Sequence, residues 1–88
     1  MQTNVPVDMI FVCNTLGEVK PMRFRLENEL HERVTVDINE ILYRKEAKPS
    51  GVRILIFVCR VFLYEEEHLI ELHYNIESLK WTLYRMVS

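Results

Sequence analysis

Residues 52–64 read Val52-Arg53-Ile54-Leu55-Ile56-Phe57-Val58-Cys59-Arg60-Val61-Phe62-Leu63-Tyr64, an apolar run interrupted only by two arginines. It opens after Lys48-Pro49-Ser50-Gly51 and closes on Glu65-Glu66-Glu67. Its β-branched and aromatic content, without a polar residue at every third or fourth place, predicts one long strand rather than a helix. Val52, Ile54, Ile56, Val58, Phe62 and Tyr64 fall on one side, and Leu55, Phe57, Cys59, Val61 and Leu63 on the other. A strand with two apolar faces needs cover on both. Either the strand bends and is shared by two halves of a small barrel, or a second subunit covers the surplus.

Working outward, Val7 to Cys13 forms an apolar run that stops at the turn signal Asn14-Thr15-Leu16-Gly17. From Val19, Met22, Phe24 and Leu26 alternate with Arg23, Arg25 and Glu27; Pro21 places the strand start or an edge there. Asn28 to Glu32 is a connection, with Leu30 expected to fold inward. Val34, Val36 and Ile38 alternate next, and then the phase breaks, because Ile41 and Tyr43 have the opposite parity. A β-bulge at Asn39-Glu40 absorbs one residue and lets the strand run on to Lys45. The competing reading is a short helix capped by Asp37, with Glu40 completing a capping box. The length of the neighbouring strand favours the bulge.

Beyond the central run, Glu65-Glu66-Glu67 reads as a hairpin tip. Ile70, Leu72, Tyr74 and Ile76 alternate with polar residues, and Glu77-Ser78 turns the chain. From Leu79 to Val87, Trp81 and Leu83 oppose Lys80, Thr82 and Tyr84. Six strands joined by short connections predict an all-β antiparallel meander, closing into a small, partly open barrel of the Src-homology-3-like kind. A chain of 88 residues with no internal repeat or linker is expected to be one domain, of modest stability when alone.

Two stretches also resemble a known family. Gly17-Glu-Val-Lys-Pro-Met-Arg-Phe-Arg25, with Val34 and Ile38 following, is one; Glu71-Leu-His-Tyr74 followed by Lys80-Trp-Thr-Leu-Tyr-Arg85 is the other. Together they are similar to a family of small single-domain bacterial β-barrel proteins of uncharacterised function, with a Pro-x-Arg-Phe strand near the start and a Trp-x-Leu strand at the end. The resemblance implies a small β-barrel and carries over no site residue.

Composition narrows the function classes. A net charge of −2 weighs against indiscriminate polyanion binding. No basic-then-apolar leader is visible, and no apolar run is long enough for a membrane helix. The expected location is cytoplasmic, with Cys13 and Cys59 reduced and packed as small hydrophobes. His31, His68 and His73 lack metal-site spacing, and His68 and His73 point to opposite faces. The serines lie in turns or at the end of the chain, Cys59 sits among valines, and two glycines make no phosphate loop. No catalytic residue, metal or cofactor is expected.

Two binding readings remain. Self-association, or docking of a protein or peptide, would use the surplus apolar face: Val52, Ile54 and Ile56, with Tyr43, Tyr64 and Tyr84 as aromatic lining. Val5, Ile10, Val12 and Met86 add to that surplus, although a tightly curled barrel would absorb much of it. Trp81 is assigned to the core instead. The alternative is a nucleic-acid face built from Lys20, Arg23, Arg25 and Lys80, with aromatic rings for base stacking. Against it, Arg23 and Arg25 have cross-strand acidic partners within reach in Glu27, Asp37 and Glu71.

Overall fold

A computed structural model describes residues 4–88. Six antiparallel strands form a closed barrel in sequence order: β1 (Val5–Cys13), β2 (Val19–Glu27), β3 (Arg33–Ala47), β4 (Ile54–Leu63), β5 (Glu66–Asn75) and β6 (Lys80–Met86). The ring closes where Val5–Val7 of β1 pair with Trp81–Leu83 of β6. The rest of β1, from Asp8, turns away to pair with β2. β3 divides in the same way: Arg33–Asp37 pair with β2, and Ile38–Ala47 with β4. Bent strands shared between two sheets close a small barrel with few residues.

Irregularities in register supply the bends. β3 is a single strand, with Asn39 and then Leu42 as extra residues against β4. The helix alternative is thereby removed, and a second bulge appears that the sequence hides. On β2, Ile10 pairs with Arg23 and Phe11 with Pro21, so Met22 is the extra residue. This corrects the grouping of Met22 with Phe24 and Leu26: Met22 is 41% exposed, whereas Pro21 and Phe24 are buried. On β6, Tyr84 is extra, since Glu71 pairs with Arg85 and Leu72 with Leu83.

The inward side of β4 supplies the centre of the core. Phe57, Cys59 and Val61 are fully buried against Leu72, Ile70 and Leu83 from β5 and β6, and against Phe24 and Val36 from β2 and β3. Trp81 stacks on Tyr74 at 4.6 Å and on Phe57 at 5.6 Å between ring centroids. Burial pushes the Cys59 thiol up to about 12. Cys13, expected to be packed, is exposed at the end of β1; both thiols are free.

Two hairpins share one turn chemistry. In Asn14-Thr-Leu-Gly-Glu18 and Asn28-Glu-Leu-His-Glu32, the asparagine Oδ1 accepts from the amides two and four residues on, each at 2.9 Å. The fourth residue is left-handed, Gly17 at φ +80 and His31 at φ +62. The leucine of each turn therefore sits at the apex. Leu30, expected inside, is 77% exposed. The β4–β5 tip is Tyr64-Glu65, and Glu66 and Glu67 already belong to β5.

Candidate interaction face

With the odd-numbered side of β4 in the core, its even-numbered residues look out. Ile54, Ile56 and Val58 are half-buried, and Phe62 is exposed. Register places neighbours beside them in rows. Ala47 and Asn75 flank Ile54, with Lys80 beyond Asn75. Lys45 and His73 flank Ile56, with Thr82 beyond. Tyr43 and Glu71 flank Val58, and the Tyr84–Arg85 bulge lies next to Glu71. Glu40 and Leu69 flank Arg60, and Glu67 lies beside Phe62. One sheet face thus carries an apolar strip down β4 with aromatic and charged margins.

A charged cluster stiffens one margin. His73 Nε2 donates to Glu71 Oε2 at 2.6 Å, and Arg85 Nε donates to Glu71 Oε1 at 3.0 Å. The His73 ring lies flat on Tyr84, with centroids 4.1 Å apart and planes 10° from parallel. The bulge at Tyr84 makes this possible, setting Tyr84 over His73 and Arg85 beside Glu71. Burial alone would raise the Glu71 carboxyl, but the hydrogen bonds and charges of His73 and Arg85 outweigh it. The carboxyl is held below its ordinary value. Below this cluster, Ile54, Ile56, His73, Lys80, Thr82 and Tyr84 line a shallow groove of about 790 Å³.

Of the residues singled out from sequence, Ile54, Ile56, Tyr43 and Tyr84 come together on this face. Val52 stands half-buried at the approach to β4. Tyr64 is elsewhere: at the β4–β5 tip it borders the barrel mouth, a cavity of about 410 Å³ walled by Val5, Leu26, Val34, Leu63, Leu83 and Met86. Val5 and Met86 thus belong to the barrel interior, and Ile10 and Val12 are exposed on β1, paired with β2. The mouth had no signal in the sequence, because its walls come from all six strands and two turns.

The four cations do not make one surface. Lys20, Arg23 and Arg25 lie on β2, and Lys80 on β6 with β1 between them. Arg23 pairs with Asp37, and Arg25 with Asp8 at 3.2 Å. His68 and His73 do face opposite ways, opposite Val61 and Ile56 respectively. Among the described residues, no three side chains of metal-binding type gather, and no helix is long and apolar enough to cross a membrane. Comparison with family models, curated proteins and solved structures finds no match, so the face is interpreted from its own chemistry.

Proposed function

We propose that the protein is a non-catalytic interaction module, a barrel of the Src-homology-3-like kind that docks protein on the outer face of β3–β6. The supporting observation is the strip Ile54, Ile56, Val58 and Phe62 on the outside of a barrel whose core is already filled from the other side of β4. Arg60, paired with Glu40 and Glu67, stands between Val58 and Phe62, so the unbroken apolar stretch is Ile54, Ile56 and Val58. Apolar surface rimmed by polar groups is how a monomer marks an interaction surface. Tyr43 and Tyr84 add rigid aromatic area, the residue type that dominates interface energetics. We place its action in the cytoplasm, where an exposed thiol such as Cys13 stays reduced.

The alternative proposal, a nucleic-acid face on Lys20, Arg23, Arg25 and Lys80, is weaker because two of its four cations already face carboxylates. A photo-crosslinking amino acid placed at Ile56, with Ile10 on the β1 side of the barrel as control, tests the docking face in the source cell. The expected result is discrete protein adducts from position 56 and none from position 10. Equal labelling at both positions, or none at 56, would reject it.

A further inference from the structure

The outer face of β3–β6 is electrically polar from end to end. At one end stand Lys45 beside Ile56 and Lys80 beyond Asn75, with Lys48 in the turn after β3. None of these lysines makes an ion pair among the described residues. At the other end, Glu40 and Glu67 share a single cation, Arg60, and Glu65 stands in the adjoining turn. Ile54, Ile56 and Val58 lead from the lysine end to Arg60, beyond which Phe62 stands, with Val58 midway between Ile54 and Phe62.

We infer that this face pairs with a second copy of itself, face to face and antiparallel, about a two-fold axis crossing the strands at Val58. The inference rests on the docking face proposed above and names its occupant. Charge decides the arrangement. A two-fold axis parallel to the strands would set Lys45 and Lys80 against the partner's lysines. An axis perpendicular to the strands lays β3 on β3 and β4 on β4 with their directions reversed. Lys45 then faces Glu40 of the partner subunit, and Lys80 reaches toward Glu67 of the partner subunit. Ile54 covers Phe62 of the partner subunit, and Val58 meets Val58 of the partner subunit. Between them, Ile56 lies on the aliphatic stem of Arg60 of the partner subunit, whose guanidinium stays on its own Glu40 and Glu67. Every contact except Val58 on the axis occurs twice, as an isologous interface requires, and aligned sheets pack this way at about −30°.

The size of the face sets the strength. The strand from Ile54 to Phe62 spans about 26 Å, and four strands about 19 Å, a projected area of roughly 500 Å² per protomer. Twice this falls at the weak end of the range for specific interfaces, so the dimer should be reversible and concentration-dependent.

Sedimentation velocity across a concentration series tests it, with circular dichroism confirming that each variant is folded. The wild-type chain is expected to shift from monomer to dimer with concentration. Val58→Lys sets two ammonium groups together at the axis and is expected to raise the Kd at least about tenfold. Lys45→Glu and Glu40→Lys each create like-charge contacts in their own homodimer and should weaken it comparably. When the two variants are mixed, the introduced carboxylate at position 45 of one faces the introduced ammonium at position 40 of the other. The second, symmetry-related contact keeps its original Glu40 and Lys45, so the heterodimer should form where neither variant self-associates. A mixture no tighter than its components would overturn the antiparallel arrangement, as would a Lys45→Glu homodimer as tight as wild type. A chain that stays monomeric throughout, yet crosslinks from position 56 to a different protein, would overturn the second copy and leave the docking face standing.

Discussion

At the scale of single residues, the two asparagine turns form a natural experiment, because identical hydrogen bonding leaves the left-handed position to Gly17 in one and His31 in the other. A side chain in the left-handed region costs roughly 1–2 kcal/mol. His31→Gly should therefore stabilise the protein by about 0.5–1 kcal/mol, after the greater freedom of glycine in the unfolded chain is subtracted. The exposed His31–Glu27 contact that is lost, at 2.7 Å, is of the kind that contributes little. Gly17→Ala should cost about 1 kcal/mol, and the cost is conformational, because a Cβ at Gly17 meets nothing within 4 Å. Denaturant midpoints of the two variants moving in the same direction would contradict this account. Glu71 permits a second prediction. Its folded-state pKa is depressed, so its stabilising effect is present above the unfolded value and is lost as pH falls through the folded one. The stability gap between wild type and Glu71→Gln should be full above the unfolded glutamate value of about 4.3 and narrow as the solution is acidified below it. A gap that does not narrow in acid would mean that the pairs with His73 and Arg85 do not stabilise the fold.

At the scale of the strand, the bulges decide which side chains meet, and they also mark where sequence ceased to be enough. Alternation was sufficient to find all six strands and the inward faces of β5 and β6. The first β3 bulge was legible because Ile38 and Ile41 are both apolar and differ in parity. Met22 and Leu42 were not legible: each is apolar, so an outward bulge residue imitates the pattern of a core position. Tyr84 is the same problem from the other side, since only the register against β5 reveals that Arg85 lies opposite Glu71. For that reason Ile54, Ile56, Tyr43 and Tyr84 could be named in advance, and the Glu71–His73–Arg85 cluster could not. Bulges also predict tolerance. Ile38 and Ile41 both face inward with Asn39 and Glu40 between them, so deleting Asn39 restores plain alternation and turns no side chain over. Deleting Thr35 puts Val34 and Val36 out of phase and moves a core valine toward solvent. The Asn39 deletion should cost only the lost bend, and the Thr35 deletion should leave little or no folded protein, as read by thermal melts followed through Trp81 fluorescence. Equal damage from both would mean that the bend at Asn39 matters as much as the register.

At the scale of the whole barrel, a meander that closes on itself is a ring of six seams, and any linear chain must leave one of them to the longest sequence separation. Here that seam joins Val5 to Leu83, and β1 meets β6 only over Val5–Val7. β4 and β5, by contrast, pair along their full length from Ile54–Asn75 to Leu63–Glu66. The most distant pairing is thus also the smallest, so most strand pairing forms through short hairpins before the loop-closure cost of the last seam is met. Folding rate falls as contacts become less local, and the ring offers a direct test. A circular permutant that joins the two ends through a flexible linker and opens at Tyr64-Glu65 keeps every pairing of the barrel. It makes the β1–β6 seam local and turns the β4–β5 seam, which buries Phe57, Cys59 and Val61 against Ile70 and Leu72, into the most distant one. The permutant should reach the same buried Trp81 environment and refold at least several-fold more slowly than the original chain in stopped-flow fluorescence. A second permutant opened at Asn28–Glu32, where β2 and β3 pair only from Arg23–Asp37 to Glu27–Arg33, should fall between the two. Were the Tyr64-Glu65 permutant to refold as fast as the original, the long β4–β5 pairing would not be what organises the barrel. The nucleus would then have to be sought at the bends of β1 and β3, where each strand passes from one partner to the next.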